Sequence, residues 1–323
     1  MWNQIETVIQ SNQSFLISSH INPDGDSVGS ALGIYECLKA MGKNAFVVMN
    51  DTIPDSYTWL DPDEDILAPA VEEDIKQLGP VDVIIIVDAN SWGRLGQIGI
   101  PLEKSPALKI VIDHHPYNEL ITPFSMIETK VSSTAELVFE LTESMRAPIT
   151  TRAANALYTG IMTDTISFRF AKSDPCAHDI AAKLLSKGVD PSQVYDNVYN
   201  QNTGSRIRLM GRVLSGIQFT DCGRIAWLTV TRAMIEETHA LLSDTSGFVD
   251  MVMTLAGVEI GIIFVEAEDG MVHISLRSRR ETDVNKIAVL LGGGGHKNAS
   301  GVRFKGNLEQ AVNTVTEAAA TAL

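Results

Sequence analysis

The sequence predicts an α/β protein with a doubly wound, mainly parallel sheet in an N-terminal domain and a smaller α/β domain after it. Strand and helix patterns alternate through the first half of the chain, as in successive βαβ units. The run at residues 83–87 is continuously β-branched, which is typical of a central parallel strand covered on both faces. At 323 residues, the chain is also long enough to form two hydrophobic cores.

Hydrophobic periodicity and capping residues place the elements of the first domain. Strands are predicted at residues 15–19, 44–49, 81–87 and 108–112, and helices at residues 27–41, 134–141, 153–162 and 177–185. Gly188 marks the end of the last of these helices, and Asp190 with Pro191 begins the next one. We therefore assign residues 1–189 to the first domain.

A polar and charged stretch at residues 190–213 is predicted to be a helical linker. Beyond it, strands are expected near residue 217 and at residues 225–230, 258–265 and 272–276, with helices around residues 250 and 311. These elements constitute the second domain, residues 214–323.

The composition narrows the class of protein. A net charge of −15 argues against a binder of long nucleic acids, which needs basic side chains to displace counterions, but it allows a small anionic substrate. The three cysteines are odd in number and never form CxxC, which indicates a reducing compartment and neither a disulfide framework nor a zinc site. The N-terminus lacks the features of a signal peptide, and the apolar runs are too short to cross a membrane. We expect a cytoplasmic protein without a membrane partner.

Carboxylates and imidazoles lie at or just beyond the ends of apolar runs along the first domain. They are His20, Asp24, Asp26, Asp88, Asp113, His114, His115 and Asp164. Because the carboxyl ends of parallel strands meet at one edge of a sheet, these side chains are expected to converge there. Oxygen and nitrogen ligands without thiolate favour manganese or magnesium, with cobalt as an alternative. The hypothesis is a two-metal hydrolase, in which a carboxylate bridges ions about 3.5–4 Å apart and a bridging water becomes a hydroxide nucleophile.

The triplet Asp113-His114-His115 follows a predicted strand. Side chains of adjacent residues point to opposite sides of a strand, so one histidine is expected to bind metal while the other faces the substrate.

A glycine run, Gly292 to Gly295, precedes His296 in the second domain. Its backbone amides can surround an anion, although the run matches neither a dinucleotide-binding motif nor a Walker loop. A flexible loop leading into a strand at residues 302–304 is the alternative, but the His-Lys-Asn sequence and the small-residue turn after the glycines favour an anion-binding site. Upstream, Arg277, Arg279 and Arg280 form a positive cluster, for which a solvated strand end is the alternative.

Taken together, the segments HINPDGDSVGS, VDAN, VIDHH, GIMTDT and GGGGHKNASG resemble the DHH phosphoesterases that carry a DHH-associated C-terminal domain. Within that superfamily the chain is most similar to the bifunctional nanoRNase (oligoribonuclease) and pAp phosphatases, over nearly its whole length. The resemblance implies a manganese-dependent phosphoesterase that hydrolyses short oligoribonucleotides and 3′-phosphoadenosine 5′-phosphate, with its active site in the cleft between the domains.

The resemblance also implies roles for individual residues. One manganese would be bound by His20, Asp24 and Asp88, and the second by Asp26, Asp88, His114 and Asp164, with Asp88 bridging. His115 would face the scissile phosphate, and Asp113 would orient the histidines. The implied substrate-binding residues are Arg277, Arg279, Gly293, Gly294, Gly295, His296 and Ser300. One departure concerns the fourth motif, commonly Asp-Thr-Gly, in which Ile166 replaces the glycine, so that substrate contacts near Ser167 and Arg169 are in question.

Other functions fit parts of the sequence. An inorganic pyrophosphatase or exopolyphosphatase would share the N-terminal domain, but the related pyrophosphatases carry a different, basic C-terminal signature. A processive RecJ-like exonuclease is disfavoured by the acidic charge, whereas cleavage of cyclic or linear dinucleotides fits as an additional activity. A non-catalytic nucleotide sensor is disfavoured, because such a protein could lose its metal ligands and this chain retains them. A homodimer is compatible with the sequence.

Overall fold

The computed structural model describes residues 2–117, 119–169, 175–267 and 270–323, and the side chain of His296 lies outside this described part. The chain divides into two compact units, Met1–Gln201 and Asn202–Leu323. The stretch interpreted as a linker contains two helices. One, Pro191–Tyr199, belongs to the first unit, and the other, Gly204–Leu214, belongs to the second.

The first unit is built on a six-stranded parallel sheet, which confirms the predicted fold class. Its strands are β1 (Ser14–Ser18), β2 (Asn44–Val48), β3 (Ile66–Leu67), β4 (Val83–Val87), β5 (Leu108–Asp113) and β6 (Ser125–Ile127). The order is β3-β2-β1-β4-β5-β6, so the sheet grows in opposite directions from the neighbours β1 and β4. In open sheets of this order, ligands bind beyond the carboxyl ends of the strands where the order reverses.

Helices cover the sheet of the first unit. They are α1 (Trp2–Ser11), α2 (Gly25–Ala40), α3 (Glu72–Gln77), α4 (Gly99–Lys104), α5 (Thr134–Ser144), α6 (Thr151–Asp164), α7 (Cys176–Leu185) and α8 (Pro191–Tyr199). Two 3-10 helices span Asp55–Leu60 and Trp92–Ile98. Helix α2 lies so close to α6 that a Cβ on Gly29 would meet the carbonyl oxygen of Ala156 at 2.3 Å, which only glycine permits.

Alternate residues of the central strands enter two separate cores. Ile17 of β1 and Ile85 of β4 pack in the core that also contains α2, α5 and α6. Leu16 and Ile84, their neighbours in the chain, pack on the opposite face. Burial on both faces explains why these strands are apolar throughout rather than alternating with polar residues.

The second unit contains a mixed sheet of six strands in the order β11-β12-β10-β9-β8-β7, in which only the pair β8 and β9 is parallel. The strands are β7 (Gln218–Phe219), β8 (Ile225–Val230), β9 (Ile260–Glu266), β10 (Val272–Ser278), β11 (Gly294–His296) and β12 (Ala299–Phe304). The helices are α9 (Gly204–Leu214), α10 (Arg232–Thr238), α11 (Phe248–Val252), α12 (Val284–Leu290) and α13 (Leu308–Ala320), and a 3-10 helix spans Leu242–Thr245. The strand expected at 225–230 is confirmed residue for residue.

Strand structure begins earlier at the glycine run than the predicted strand at residues 302–304. Gly294, Gly295 and His296 form the short strand β11, which pairs with β12, and β12 begins at Ala299 rather than at residue 302. Glycines have low strand propensity, so the pairing depends on the backbone of β12 rather than on the local sequence.

Within the described ranges, the helices are all too short or too polar to cross a lipid bilayer.

Candidate metal centre

The predicted ligands of the first unit converge where the sheet order reverses. His20 lies two residues beyond β1, and Asp88 directly follows β4, the strand paired with β1. Asp113 ends β5, the next strand in the sheet, and is followed by His114 and His115. The remaining ligand candidates come from helix ends, where Asp24 caps the start of α2 and Asp164 is the last residue of α6.

A first group of possible ligands consists of His20, Asp24 and Asp88, whose ligand atoms lie within 4.8 Å of one another. The Nε2 atom of His20 is 3.1 Å from Oδ2 of Asp88 and 3.8 Å from Oδ2 of Asp24. His20 and Asp88 are buried, whereas 56% of the Asp24 side chain is exposed. The group is therefore shielded from solvent at His20 and Asp88 and exposed to solvent at Asp24.

A second group consists of Asp26, His114 and Asp164, again within 4.8 Å. Nε2 of His114 lies 3.3 Å from Oδ2 of Asp164, 3.9 Å from Oδ2 of Asp26 and 3.7 Å from Oδ1 of Asp88. Asp88 thus directs Oδ2 towards His20 and Oδ1 towards His114. One carboxylate that offers a separate oxygen to each group has the arrangement of a bridging ligand.

The expectation that the two adjacent histidines point to opposite sides is wrong. Their ring centroids are 4.4 Å apart, because β5 ends at Asp113 and the alternation of a strand no longer applies. Nδ1 of His115 lies 2.9 Å from Oδ1 of Asp113 and 3.4 Å from Oδ1 of Asp88. The other carboxylate oxygen of Asp113, Oδ2, accepts a hydrogen bond of 2.6 Å from Nδ2 of Asn90. Asp113, which is fully buried, therefore holds the ring of His115 in place.

His115 also belongs to a third group, with Asp88 and His114, whose ligand atoms lie within 4.8 Å. The geometry alone thus allows His115 to bind an ion as well as to face a substrate.

Electrostatic interactions within the cluster differ from one carboxylate to the next. Burial and the negative charges of Asp88 and Asp164 hold the pKa of Asp26 well above its usual range. Burial would also raise the pKa of Asp88, but hydrogen bonds with His115 and His20 outweigh burial and lower it. Burial lowers the pKa of His115, yet hydrogen bonds with Asp113 and Asp88 raise it to about 10. The protonated ring of His115 thus balances part of the negative charge, a role that bound divalent cations can take over.

The donor set fits hard or borderline divalent cations. The groups consist of carboxylate oxygens, which manganese, magnesium and cobalt all accept, and of imidazole nitrogens, which suit manganese and cobalt better than magnesium.

Two hydroxyl side chains that hold the ligands are not among the predicted site residues. Thr134 donates from Oγ1 to Oδ1 of Asp88 at 2.9 Å, and Ser30 donates from Oγ to Oδ1 of Asp26 at 3.2 Å. A local signal existed for Thr134, because Ser133 and Glu136 have the spacing of a capping box and mark the start of α5. This spacing predicts where the helix begins, but it does not predict which metal ligand the first residues of the helix contact.

The backbone near the proposed ligands adopts left-handed φ values at Asn22, at Asp88 and at residues 166–168. Asp88, which directly follows β4, has φ 58°. After α6, Ile166, Ser167 and Phe168 have φ values of 48°, 55° and 66°. Such values favour glycine, so the β-branched Ile166 is strained at the position where the related motif has glycine.

We expect Ile166→Gly to be more stable than Ile166→Ala by about 1 kcal/mol, the reverse of the order in a helix interior, because a Cβ at a left-handed position is strained. Both variants remove the half-exposed side chain of Ile166, so their difference isolates the backbone. The free energy of unfolding from denaturant titration measures it. An alanine variant as stable as the glycine variant would show that no strain resides at this position.

The second unit contains a pocket of about 510 Å³ on one face of its sheet. The side chains of His273, Ser275 and Arg277 line it from β10, and residues of the segment 242–249 form its opposite wall. Nε of Arg277 lies 3.3 Å from Oδ1 of Asp250. Arg279, by contrast, donates to the carbonyl oxygens of Met253 and Leu255, which ties down the chain after α11.

Two of the three predicted glycines of this unit, Gly293 and Gly295, have structural roles. A Cβ on Gly293 would meet the carbonyl oxygen of Gly301 at 2.1 Å, and one on Gly295 would meet that of Ala299 at 2.5 Å, whereas Gly294 has open space. Ser300 is buried, with Oγ 3.5 Å from Oδ1 of Asn285. The prediction for His296 falls on a side chain outside the described part of the structure.

Comparisons with known proteins identify both halves of the chain. Residues 14–161 match the family described as DHH family, N-terminal domain, and residues 236–321 match the DHHA1 domain. The bifunctional oligoribonuclease and PAP phosphatase NrnA of Thermus thermophilus is 34% identical over 303 residues, covering 94% of this chain and 88% of that protein. The protein of the same name from Mycoplasma genitalium is 27% identical over 301 residues, covering 91% of this chain and 89% of its own length.

A solved structure agrees along almost the whole chain. The crystal structure of an exopolyphosphatase-related protein from Bacteroides fragilis has a TM-score of 0.94 and 33% identity to this chain. The match covers 99% of this chain and 95% of that one.

Proposed function

This chain belongs to the DHH family, and we propose on that premise that it is a two-metal phosphoesterase hydrolysing short oligoribonucleotides and 3′-phosphoadenosine 5′-phosphate. The observation that carries the proposal is the convergence of two ligand groups on Asp88, which offers one oxygen to each. The names of the relatives from Thermus thermophilus and Mycoplasma genitalium support the choice of substrates.

The proposed ligands are those of the two groups and the bridge between them: His20, Asp24, Asp26, Asp88, His114 and Asp164. Manganese is the proposed ion, because the set mixes imidazole nitrogens with carboxylates, whereas magnesium prefers oxygen alone. Two bound cations supply Lewis acidity, which acidifies water and neutralises charge on the phosphate.

The proposed role of His115 is to contact the scissile phosphate and deliver a proton to the leaving oxygen. Asp113 holds Nδ1 of the ring, so the proton would come from Nε2. Hydrogen bonds with Asp113 and Asp88 keep this imidazole protonated, since they outweigh burial and raise its pKa to about 10. A positive ring beside a phosphate also stabilises negative charge that develops in the transition state.

The proposed nucleotide site of the second unit is the pocket lined by His273, Ser275 and Arg277. A guanidinium suits a phosphate, and an imidazole and hydroxyls suit a base and a ribose. The pairing of Arg277 with Asp250 supports this role, because an anionic substrate can replace that carboxylate. Arg279 is proposed to act indirectly, by holding the segment after α11. His296 and the glycines of β11 are proposed to contact phosphate.

The proposal includes a cytoplasmic location, which the odd number of cysteines supports.

A substrate panel tests the function. Labelled RNA from dimers to 24-mers, 3′-phosphoadenosine 5′-phosphate, pyrophosphate, polyphosphate and cyclic di-AMP are each incubated with the manganese-loaded protein. Dimers to about pentamers should be hydrolysed far faster than 24-mers, because the net charge of −15 repels a polyanion wherever it leaves the site. Fastest turnover of pyrophosphate or polyphosphate would identify a pyrophosphatase or exopolyphosphatase, and equal rates on dimers and 24-mers would contradict the length preference.

The same panel with Arg277→Ala tests the nucleotide pocket. We expect the KM for dinucleotides to rise by about tenfold or more, while hydrolysis of bis-p-nitrophenyl phosphate, which carries no nucleotide, stays unchanged. Arg212→Ala, which removes a half-exposed arginine from α9, is the matched control. Equal losses on both esters would place Arg277 outside the substrate-binding pocket.

A further inference from the structure

The first residues of α5 lie directly under the metal centre. The backbone amides of Thr134 and Ala135 donate to Oδ2 and Oδ1 of Asp26 at 2.7 and 2.9 Å. The hydroxyl of Thr134 donates to Oδ1 of Asp88 at 2.9 Å. Thr134 therefore binds two buried carboxylates of the proposed centre, Asp26 of the second site and Asp88, which bridges both sites.

This arrangement is built into the fold rather than into a flexible surface. Thr134 is completely buried, and Asp26 and Asp88 are each 1% exposed. The side chain of Ser133 accepts a hydrogen bond from the amide of Glu136 and caps the helix. This cap fixes the direction of the amides of Thr134 and Ala135, which lie between the two residues. The positive end of the helix dipole also offsets the negative charge of Asp26.

We propose that Thr134 is a positioning residue that sets which lone pairs of Asp88 face the ions. The hydroxyl of Thr134 donates to one lone pair of Oδ1, the Asp88 oxygen that lies nearest to His114 and His115. Without it, the carboxylate can rotate about its Cβ–Cγ bond, and the bridge no longer presents one oxygen to each group. The inference rests on the proposed two-metal site and adds to it a residue that touches neither ion nor substrate.

The side chain of Thr134 can be changed without changing its backbone donation to Asp26. Thr134→Val keeps the shape and removes only the hydroxyl, whereas Thr134→Ser keeps the hydroxyl and removes only a methyl group. Partners that hold metal ligands typically change metal affinity by about 10- to 100-fold when they are lost.

Thr142 provides a matched control in the same helix. It is 2% exposed, and its hydroxyl donates to the carbonyl oxygen of Val138 rather than to a ligand. Thr142→Val therefore removes one buried hydroxyl from α5 without touching the centre.

The test is calorimetric titration of the full-length, metal-free protein and its three variants with manganese. We expect the dissociation constant of Thr134→Val to rise by about 10- to 100-fold, with Thr134→Ser and Thr142→Val within about threefold of the wild type. Thermal melting without metal shows that each variant is folded. The activation constant for manganese in phosphoester hydrolysis should rise in parallel for Thr134→Val alone.

Three results would overturn the inference: wild-type affinity in Thr134→Val, an equal loss in Thr134→Ser, or an equal loss in Thr142→Val. Because affinity is measured without substrate, failure of the proposed function has a different signature. A wild-type protein that binds two manganese ions yet hydrolyses none of the panel refutes the function and leaves the role of Thr134 to be judged by affinity. A wild-type protein that binds no manganese refutes both.

Discussion

Replacing Asp88 with alanine should reduce phosphoester hydrolysis by about a thousandfold or more and lower the bound manganese from two ions to one or none. The carboxylate offers Oδ2 to the group of His20, at 3.1 Å, and Oδ1 to that of His114, at 3.7 Å, so its loss affects both sites at once. Two bound metal ions stabilise the transition state by several kcal/mol, and each 1.36 kcal/mol of activation free energy corresponds to about a tenfold change in rate. Steady-state kinetics and metal analysis by plasma mass spectrometry measure the two effects.

The same variant should lose stability in the absence of metal. Asp88 has a pKa lowered by its histidine partners, although burial acts the other way. The charged carboxylate therefore contributes stability at pH values above the pKa of aspartate in the unfolded chain, about 3.9. This contribution is lost as the pH falls through the lower pKa of Asp88 in the folded protein.

Glu103→Ala, which removes an exposed carboxylate from α4, is the control and should change neither metal content nor rate. An Asp88→Ala protein that retains two ions and full activity would refute the bridging role.

Replacing His115 with alanine should lower kcat by about 10²- to 10⁴-fold while two manganese ions stay bound. The ring is oriented by Asp113, with Nδ1 2.9 Å from its Oδ1, and we assign it to proton delivery rather than to the ions. His114→Ala is the natural comparison, since its Nε2 lies 3.3 to 3.9 Å from oxygens of Asp164, Asp88 and Asp26. That variant should lose the second ion, and excess manganese should restore part of its activity.

Metal analysis separates the two histidines. If His115→Ala loses an ion to the same extent as His114→Ala, then the group formed by Asp88, His114 and His115 binds metal, and His115 is a ligand instead of an acid. A pH profile provides a second measure. The activity of the wild type should fall at high pH as the acid loses its proton, and this limb should be missing from the residual activity of His115→Ala.

Local sequence determined most of the fold of each unit. Strands β4 and β5 are continuous apolar runs, and burial of alternate residues in two cores requires this pattern, so their positions could be predicted to within two residues. The short elements could not be predicted. β3 has two residues and β6 three, too few for a periodic pattern, and they exist because a neighbouring strand supplies their hydrogen bonds.

The sequence by itself also determined which side chains meet at the carboxyl edge of the first sheet, because parallel strands place the residues after them at one edge. Only the tertiary structure decided how they meet. The contact of the two histidine rings depends on where β5 ends, and the support of Asp26 and Asp88 by Thr134 joins residues 108 and 46 positions apart in the chain. In the second unit, Arg279 turns to the carbonyl oxygens of Met253 and Leu255, about 25 positions earlier in the chain. Such contacts arise from the packing of distant elements, which residue type and local periodicity do not encode.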